Sequence, residues 1–383
     1  MAPLLSARAF FRDPVGYVRV HAEDGAALPL AAGPSRFLLI RDPHEVWRVL
    51  VTDSASFRPG KWKRRARRFL GVTLNTLDGD EHRRRRLLLQ PALDRRRIAR
   101  FEPATAARVE RMQAAWEDGS RLRLRDELER LSLAVAGEAL LSAELDPGLA
   151  SALATVMTSV PRLTPPLRGT RHARALREVE SAVAALVAAR RRGAGREDDL
   201  LAALLGSGLP DETARGEVIA FLLAAVDEPP SGLEAAWYLL GRSPATEERL
   251  RAELAAGGRE YVDAVLRETL RLFPPARHID RCPVGNGRLN VLVSPLVIHY
   301  EPSLYDSPSE FVPERWLRQD ERPRGAYFPF GAGAHACIGE PLARAIMTQA
   351  LARIVPRWRL RLDPDAVPPA PRAPRLVVTL ERR

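Results

Sequence analysis

The sequence predicts a mainly α-helical protein with a minor β part. Leucine and alanine recur at helical spacing from about residue 80 to 255, and a 3.6-residue period of apolar residues is typical of amphipathic helices. Short runs with strand character lie on both sides of this region. No Gly/Ser-rich linker or change of composition divides the chain. We therefore expect residues 1–383 to form a single large domain, although the length alone favours two or three.

Two strands are expected near the N-terminus, at 27–30 and 37–40, on either side of a Gly-Pro turn at 33–34. Asp42 followed by Pro43 is typical of a helix start. Aspartate caps free N–H groups, and proline suits the first helical position.

The middle of the chain should be helical, with one interruption at the prolines of positions 161, 165 and 166. One helix, from about 217 to 240, begins with the run 218–226, which is apolar all round. A helix that is apolar on every side belongs in the centre of a protein. We therefore expect this central helix to organise the fold.

The C-terminal third should contain strands at 289–298, after a turn at 286–287, and a further strand at 375–380. The last long helix is expected from Gly339 to about Val355. Its expected buried stripe is Leu342, Ile346, Met347, Ala350, Leu351 and Ile354.

The net charge is +11 and comes almost entirely from arginine, since lysine occurs only at Lys61 and Lys63. A basic protein attracts acidic partners, but the arginines are spread along the chain without a nucleic-acid motif, so no nucleic-acid partner is expected. Cys282 and Cys337 are too few for a disulfide framework and suit a reducing compartment. No run is long and apolar enough for a signal peptide or a membrane span. The expectation is a cytoplasmic protein with no membrane partner.

The strongest signal is the segment 328–339, which reads Phe-Pro-Phe-Gly-Ala-Gly-Ala-His-Ala-Cys-Ile-Gly. Gly331 and Gly333 permit a tight turn and the close approach of a flat group. Cys337 follows this loop and directly precedes a helix, whose free N–H groups and dipole stabilise a thiolate. Phe330 can pack beside the sulfur and keep water away. The pattern favours a stabilised thiolate, and on these residues alone a buried structural cysteine stays the alternative.

This segment resembles the haem-binding signature of the cytochrome P-450 superfamily, Phe-Gly-x-Gly-x-His-x-Cys-x-Gly, at every defined position from Phe330 to Gly339. The resemblance implies the fold of the soluble bacterial members, with haem b between the central helix and the helix that follows the cysteine loop. It also implies that Cys337 is the axial ligand of the iron. The alternative is a buried structural cysteine after a glycine-rich loop, and the complete match disfavours it.

Two further segments match the family in the same order. Glu268-Thr-Leu-Arg271 resembles its Glu-x-x-Arg motif, and residues three apart share a helix face. Residues 311–316, Phe-Val-Pro-Glu-Arg-Trp, resemble a stretch whose arginine, here Arg315, joins that pair. The resemblance implies a structural network of these three charges behind the haem. Between the two motifs, His-Tyr at 299–300 stands where the family commonly has His-Arg.

Four basic residues match positions that contact the haem propionates in the family. His82 and Arg86 lie four apart and so point the same way from a helix. Arg281 and His335 match two further positions. Arginine suits a carboxylate because it binds it bidentately.

The central helix departs from the family's usual Ala/Gly-Gly-x-Asp/Glu-Thr-Thr, in which an acid and a hydroxyl help to deliver protons. Residues 224–232 read Ala-Ala-Val-Asp-Glu-Pro-Pro-Ser-Gly. In one alignment Asp227 is the acid and Glu228 replaces threonine. In the other, which the local match favours, Glu228 is the acid and the two prolines replace Thr-Thr. The threonine hydroxyl is absent either way, which leaves Glu228, Ser231, water or a substrate hydroxyl to deliver protons.

Pro229 and Pro230 also have a structural consequence. Each lacks an N–H and clashes with the carbonyl four residues earlier, at Ala225 and Val226. We expect a kink there and freed carbonyls that need water or a side chain. The alternative is a helix break without catalytic meaning.

The resemblance implies a monooxygenase that oxidises a small organic molecule, in secondary metabolism. A cysteinate ligand favours O–O cleavage at iron. The substrate pocket should lie above the haem. Candidates to line it are Leu74, Asn75, Phe221, Leu222, Ala225, Ala276, His278 and Ile279.

Electrons should come from a separate ferredoxin or flavodoxin, because the chain has no flavin or iron–sulfur motif. Such carriers are acidic, so the basic runs at 61–68 and 83–86 could dock them. The alternative is that these arginines are simply solvated, or that the first run attracts an acidic or carrier-bound substrate. We expect a monomer.

Besides the monooxygenase, a second and a third function stay open. The missing threonine is consistent with an atypical haem-thiolate enzyme that is driven by peroxide or that catalyses oxidative coupling or isomerisation. The third interpretation is a haem-binding recruitment domain without catalysis, which the intact cysteine loop disfavours.

Overall fold

The chain is mostly helical (59%) with small sheets, which confirms the predicted fold class. The computed structural model describes residues 5–21, 25–32, 35–60, 63, 67, 71–158, 170–285, 289–319, 321–369 and 375–383. The turns expected at 33–34 and 286–287, the prolines at 161, 165 and 166, and most of the basic run 61–68 lie outside the described residues.

The helices carry most of the fold, and α3 begins as the sequence predicts. Asp42 accepts the N–H of His44 at 2.7 Å, and Pro43 takes the first helical position. In chain order the helices are α1 (Ala7–Arg12), α2 (Pro14–Val20), α3 (Pro43–Trp47), α4 (Gly79–Leu89), α5 (Arg95–Ala99), α6 (Glu102–Ala114), α7 (Leu124–Leu141), α8 (Gly148–Met157), α9 (Arg171–Arg191), α10 (Leu200–Gly206), α11 (Asp211–Arg242), α12 (Pro244–Ala255), α13 (Glu260–Leu272), α14 (Pro295–His299) and α15 (Glu340–Ile354).

Nine strands of the described residues form two sheets. They are β1 (Leu5–Ser6), β2 (Ala27–Ala32), β3 (Ser35–Ile40), β4 (Phe57–Pro59), β5 (Arg121–Arg123), β6 (Ile279–Pro283), β7 (Leu289–Val293), β8 (Trp358–Leu362) and β9 (Val377–Arg382). The larger sheet has the order β1-β2-β3-β7-β6-β4, and the smaller has β5-β9-β8. In the larger sheet β3 pairs in parallel with β7, with Leu38 opposite Val291. This pairing joins the N-terminal strands to those that follow α13.

The predicted strand region 289–298 is correct only in its first half. Residues after Ser294 form the short helix α14, with Pro295 at its first position. A short apolar run fits a buried strand and a buried helix equally well. Proline decides the case here, because its fixed φ suits the first helical turn and it cannot donate to a sheet.

The central helix is α11, and it passes through the main hydrophobic core. Five residues of the predicted apolar run 218–226 are buried, namely Val218, Leu222, Leu223, Ala225 and Val226, whereas Ala224 is exposed. From Pro229 to Leu240 every residue except Ser231 is buried. The two prolines do not end the helix, so the alternative of a helix break is wrong, and the expected kink stays a prediction. The buried stripe of α15 is confirmed at each of its six positions.

Among the described residues, no helix combines the length and the apolar character needed to cross a bilayer.

Candidate active site

The cysteine loop, residues 328–339, is held by its own main chain and by a close approach to a neighbouring segment. The N–H of Cys337 donates to the carbonyl of Phe330 at 2.8 Å. Gly333 has a φ of 70°, and a Cβ at this position would lie 2.0 Å from the carbonyl oxygen of Leu50. Only glycine therefore fits here.

Side chains from two helices fix the same loop. The guanidinium of Arg86, on α4, donates to the carbonyl of Ala336 at 2.7 Å. The ring of Phe330 lies 5.2 Å from the guanidinium of Arg344, on α15. Gly331 adopts a φ of 71°, which favours glycine. The loop thus presents Cys337 in a fixed position.

We infer that Cys337 and Glu228 line one internal cavity. Both side chains are accessible to solvent, yet burial is the largest influence on the pKa of each. A group that is accessible and also surrounded by protein lines a cavity. The charge of Glu228 raises the pKa of the Cys337 thiol, so the two groups lie near each other. Ala224, one turn before Glu228, is exposed as well.

The cavity disfavours the charged form of both groups. Burial raises the pKa of Cys337 to about 12, the Glu228 charge adds to the shift, and the N–H of Gly339 opposes it. Burial also raises the pKa of Glu228 to about 7, with a contribution from Asp227. The predicted donor at the helix start is therefore present, but burial outweighs it. A thiolate at this position needs a cation beside the sulfur.

A cluster of basic side chains adjoins the cavity. The rings of His82 and His335 are in contact, with centroids 3.9 Å apart. Burial lowers the pKa of His82 to about 4 and that of His335 to about 2, and Arg86, Arg281 and Lys63 shift both in the same direction. The structure thus brings the four predicted propionate residues together. Lys63 joins them, which the sequence analysis did not anticipate.

Asp227 and Ser231 point away from the cavity. Arg125, on α7, donates to Asp227 Oδ1 at 2.7 Å and to Ser231 Oγ at 2.5 Å. Glu228 follows Asp227 by one residue and therefore lies about 100° around the helix from it. Of the three predicted catalytic side chains, only Glu228 reaches the cavity. Arg125 holds both side chains on a neighbouring face of the helix, and their role in proton delivery stays a prediction.

The predicted charge network behind the loop is assembled around Glu268, which is fully buried. Its carboxylate accepts two bonds from Arg271, at 2.8 and 2.9 Å, and one from Arg315 at 3.0 Å. The indole N–H of Trp316 donates to it at 2.8 Å. Every charge in this buried group is therefore paired.

His299 connects this network to the cysteine loop, a role that the sequence analysis missed. Its Nε2 accepts the N–H of Phe328 at 3.1 Å, so its Nδ1 donates to the carbonyl of Arg271, also at 3.1 Å. Burial lowers the pKa of His299 to about 3 and keeps the ring neutral. The available signal was the pair at 299–300, noted only as a departure from the family pattern.

The early loop that carries Leu74 and Asn75 is anchored on the central helix. Both carboxylate oxygens of Glu217 accept the N–H of Leu74, at 2.8 and 3.0 Å. Arg85 forms an ion pair with the same carboxylate. Neither Glu217 nor Arg85 was predicted as a site residue. The available signal was an acid directly before the apolar run 218–226 of the central helix.

The predicted pocket residues of α11 divide between two faces. Phe221 and Ala225 lie seven and three residues before Glu228 and share its face. Leu222 lies six residues before it, on another face, and is fully buried in the core. Leu222 is therefore a core residue, which corrects its assignment to the pocket.

The residues after α13 form the third predicted side of the pocket, and all of Ala276, His278 and Ile279 are half-buried. The ring of His278 lies 5.5 Å from that of Phe10 and 5.1 Å from that of Phe11. Burial lowers the pKa of His278 to about 4. The N-terminal helix α1 therefore covers this segment.

The residues around the cavity fit a haem. The charged form of the Cys337 thiol needs a neighbouring cation. The iron of a haem can supply it, because cysteinate is a known axial ligand of haem iron. The basic cluster of His82, His335, Arg86, Arg281 and Lys63 suits the two carboxylates of a porphyrin, because arginine and lysine bind carboxylates strongly. The thiol and the basic cluster lie at the same cavity. This arrangement suits haem, which carries both an iron ion and two carboxylates.

Comparison with known proteins agrees with this geometry. The family described as cytochrome P450 matches residues 13–383. Cyclooctat-9-en-7-ol 5-monooxygenase of Streptomyces melanosporofaciens is 31% identical, over 94% of this chain and 88% of that protein. Pentalenene oxygenase of Streptomyces avermitilis is 29% identical, over 93% of this chain and 88% of that protein.

The fold has a solved counterpart in a retinoic acid-bound cyanobacterial CYP120A1. The two structures superimpose with a TM-score of 0.86 at 24% sequence identity, over 97% of this chain and 95% of the other. Since the family match spans nearly the whole sequence, this chain belongs to the cytochrome P450 family of haem-thiolate monooxygenases.

Proposed function

We propose that this chain is a haem b monooxygenase in which Cys337 binds the iron and which oxidises a small apolar molecule of the terpenoid class. The observation that carries the proposal is the cavity shared by Cys337 and Glu228. The proposal is supported by the nearness of the candidate ligand to Glu228, whose pKa is raised to about 7 by burial.

The substrate class is inferred from the relatives and from the lining of the cavity. Two relatives are a cyclooctat-9-en-7-ol 5-monooxygenase and a pentalenene oxygenase, and both modify terpenoids. The candidate pocket residues Phe221, Ala225, Ala276 and Ile279 are apolar, and an apolar lining suits a cyclic hydrocarbon or a simple alcohol derived from it.

Each residue near the haem has a defined task in this proposal. Cys337 holds the iron, and Phe330, Gly331 and Gly339 shape the loop around its sulfur. His82, Arg86, Arg281 and His335 bind the propionates. When it is bound with a cysteinate ligand, haem supplies the oxidising power for C–H hydroxylation or epoxidation.

Glu228 is the proton-handling group of the proposal. With a pKa raised to about 7, its carboxyl both binds and releases a proton near neutral pH, as an acid–base catalyst requires. Asp227 and Ser231 are bonded to Arg125 on a neighbouring face of the helix. Water or a substrate hydroxyl completes the path between Glu228 and the reacting atoms.

Electrons reach the haem from a separate ferredoxin or flavodoxin in this proposal. Arg83 and Arg84, on α4, are exposed and can attract an acidic carrier. Lys63 belongs to the enclosed cluster by the cavity, since burial lowers its pKa to about 8. It therefore does not contribute to a docking surface, which corrects that part of the expectation. We propose a monomeric, cytoplasmic enzyme.

A second candidate is a peroxide-driven enzyme of the same family. The observation that favours it is that Glu228 is the acid–base group on the cavity face of α11, in a segment without a threonine. A carboxylic acid of this kind can act as a general acid and base toward peroxide.

The experiment starts from the purified, haem-loaded protein. Cyclic terpene hydrocarbons and alcohols are screened by their shift of the iron spin state, with straight-chain fatty acids of similar size as the comparison set. A hit is then turned over with NADPH, ferredoxin and its reductase under ¹⁸O₂. We expect a product that contains one labelled oxygen atom. Turnover with hydrogen peroxide but not with the electron-transfer proteins would favour the second candidate, and a product without new oxygen would contradict both.

A further inference from the structure

Pro229 and Pro230 lie within α11, and the helix continues through them. A proline has no N–H, so the carbonyl four residues earlier loses its usual donor within the helix. The carbonyls concerned are those of Ala225, for Pro229, and Val226, for Pro230. A buried carbonyl without a donor is unfavourable, so the surroundings of this turn decide whether it stays closed.

A serine of the neighbouring helix supplies a donor to the first of these carbonyls. The hydroxyl of Ser132, on α7, donates to the carbonyl of Ala225 at 2.6 Å. Ser132 is fully buried. The hydroxyl must be the donor, because a carbonyl oxygen can only accept. The bond lost at Pro229 is therefore replaced from outside the helix.

Other side chains of α7 extend this contact along the same turn. Arg125 lies seven residues before Ser132 and shares its helix face. Its guanidinium donates to the carbonyl of Asp227 at 2.8 Å and also holds Ser231 Oγ. Glu129, between the two donors in sequence, accepts from Arg125 at 3.0 Å. We call Arg125, Glu129 and Ser132 the α7 brace.

The brace contacts α11 away from the cavity face. Its partners are the carbonyls of Ala225 and Asp227 and the side chains of Asp227 and Ser231, while Glu228 points into the cavity. Glu228 lies within the turn that runs from Ala225 to Pro229. If that turn opened, water would have to satisfy the Ala225 carbonyl and the direction of the Glu228 side chain would change.

We propose that Ser132 replaces the main-chain donor that Pro229 removes and thereby positions Glu228 in the cavity. Ser132 is a positioning residue and touches no reacting atom. The first half of this statement stands on hydrogen-bond geometry alone. The second half rests on the proposed function, because it assumes that Glu228 handles protons.

A double-mutant cycle tests the first half. Ser132→Ala should lower the melting temperature of the haem-loaded protein by about 2–4 °C. Hydrogen exchange should become faster in the peptide that contains residues 224–234, since local opening exposes its amides. In a Pro229→Ala background the new amide can serve the Ala225 carbonyl, so Ser132→Ala should have little effect there.

Two matched variants sharpen the cycle. Pro230→Ala restores a donor to Val226 rather than Ala225, so the effect of Ser132→Ala should persist in that background. Ser132→Thr keeps the hydroxyl and should restore the exchange rate. Equal losses from Ser132→Ala in all three backgrounds would overturn the replacement, because they would show that Ser132 only fills space.

The second half is tested by electron coupling, measured as hydrogen peroxide released per NADPH with a substrate found in the screen. Ser132→Ala should raise this ratio at least twofold, and Ser132→Thr should reverse the rise. If Glu228→Gln raises the ratio and Ser132→Ala does not, the positioning claim fails and the proposed role of Glu228 stands. If Glu228→Gln has no effect, the positioning claim and the proposed role of Glu228 both fail. The double-mutant cycle then still decides whether Ser132 replaces the missing main-chain donor.

Discussion

To bind iron as proposed, the sulfur of Cys337 must lose its proton in a site that resists charge. Burial raises the thiol pKa to about 12, and the Glu228 charge acts in the same direction. The N–H of Gly339 is too little to reverse this. A metal cation does reverse it, because it stabilises the thiolate directly. The residue is therefore suited to a bound metal and poorly suited to act as a free nucleophile.

Replacing Cys337 tests this assignment. In Cys337→Ser the ferrous carbonyl complex should lose the red-shifted Soret band that a thiolate ligand produces, because an alcohol oxygen is a much weaker donor. The measurement is the carbon monoxide difference spectrum after haem loading. Cys282→Ala is the matched control, since Cys282 is fully buried on β6, and it should keep the band. A band that survives in Cys337→Ser would refute the ligand assignment.

Among the elements, α10 shows how one aspartate can hold three segments. Asp199 caps α10 by accepting the N–H of Ala202 at 2.8 Å. It also pairs with Arg190, at 2.6 and 2.7 Å, and accepts the hydroxyl of Ser142. Burial alone would raise its pKa, but these donors outweigh it and the pKa is lowered. The charged form is therefore the one that stabilises the fold.

Asp199→Asn should cost about 3 kcal/mol at neutral pH, because it leaves a buried arginine without its counter-charge. A lowered carboxyl pKa gives stability that is complete above the ordinary value of 3.8 and is lost as the pH falls through the lower folded-state pKa. The stability of the variant should therefore fall less steeply in that acid range. Denaturant titrations from pH 7 down to about 3 measure both effects.

Asp211→Asn is the control, because Asp211 pairs with Arg191 and both side chains are about half exposed. Such pairs contribute at most about 1 kcal/mol. Equal losses in the two variants would contradict the role assigned to Asp199.

At the scale of the whole molecule, Glu268 joins parts of the chain that are distant in sequence. It pairs with Arg271 on α13 and with Arg315 in the segment after α14. Arg271 in turn donates to the carbonyl of His299 at 2.7 Å, and His299 accepts from the cysteine loop at Phe328. The network therefore links the helical core to the loop that carries Cys337.

Glu268→Gln should destabilise the protein by about 3–5 kcal/mol, because the buried guanidinium of Arg271 and the largely buried one of Arg315 lose their counter-charge. It should also lower the haem retained per protein, since the cysteine loop loses support through His299. Chemical unfolding and the ratio of Soret to protein absorbance measure the two effects. Glu314→Gln is the control, because the pair of Glu314 with Arg249 is partly exposed. Normal stability in Glu268→Gln would show that the network is dispensable.

The sequence by itself determined the fold class, the central helix, the cysteine loop and the members of the Glu268 network. These features depend on local period and on motifs whose spacing is fixed along the chain. The helix at Pro295 was missed although the proline itself was a readable signal, whereas the continuity of α11 through its two prolines was not readable, because packing against other elements decides it. Only the tertiary structure separated Glu228 from Asp227 and Ser231, since Arg125 comes from about 100 residues earlier in the chain. It also gave His299, Glu217, Lys63 and Ser132 their partners, because a side chain's surroundings depend on how distant segments meet.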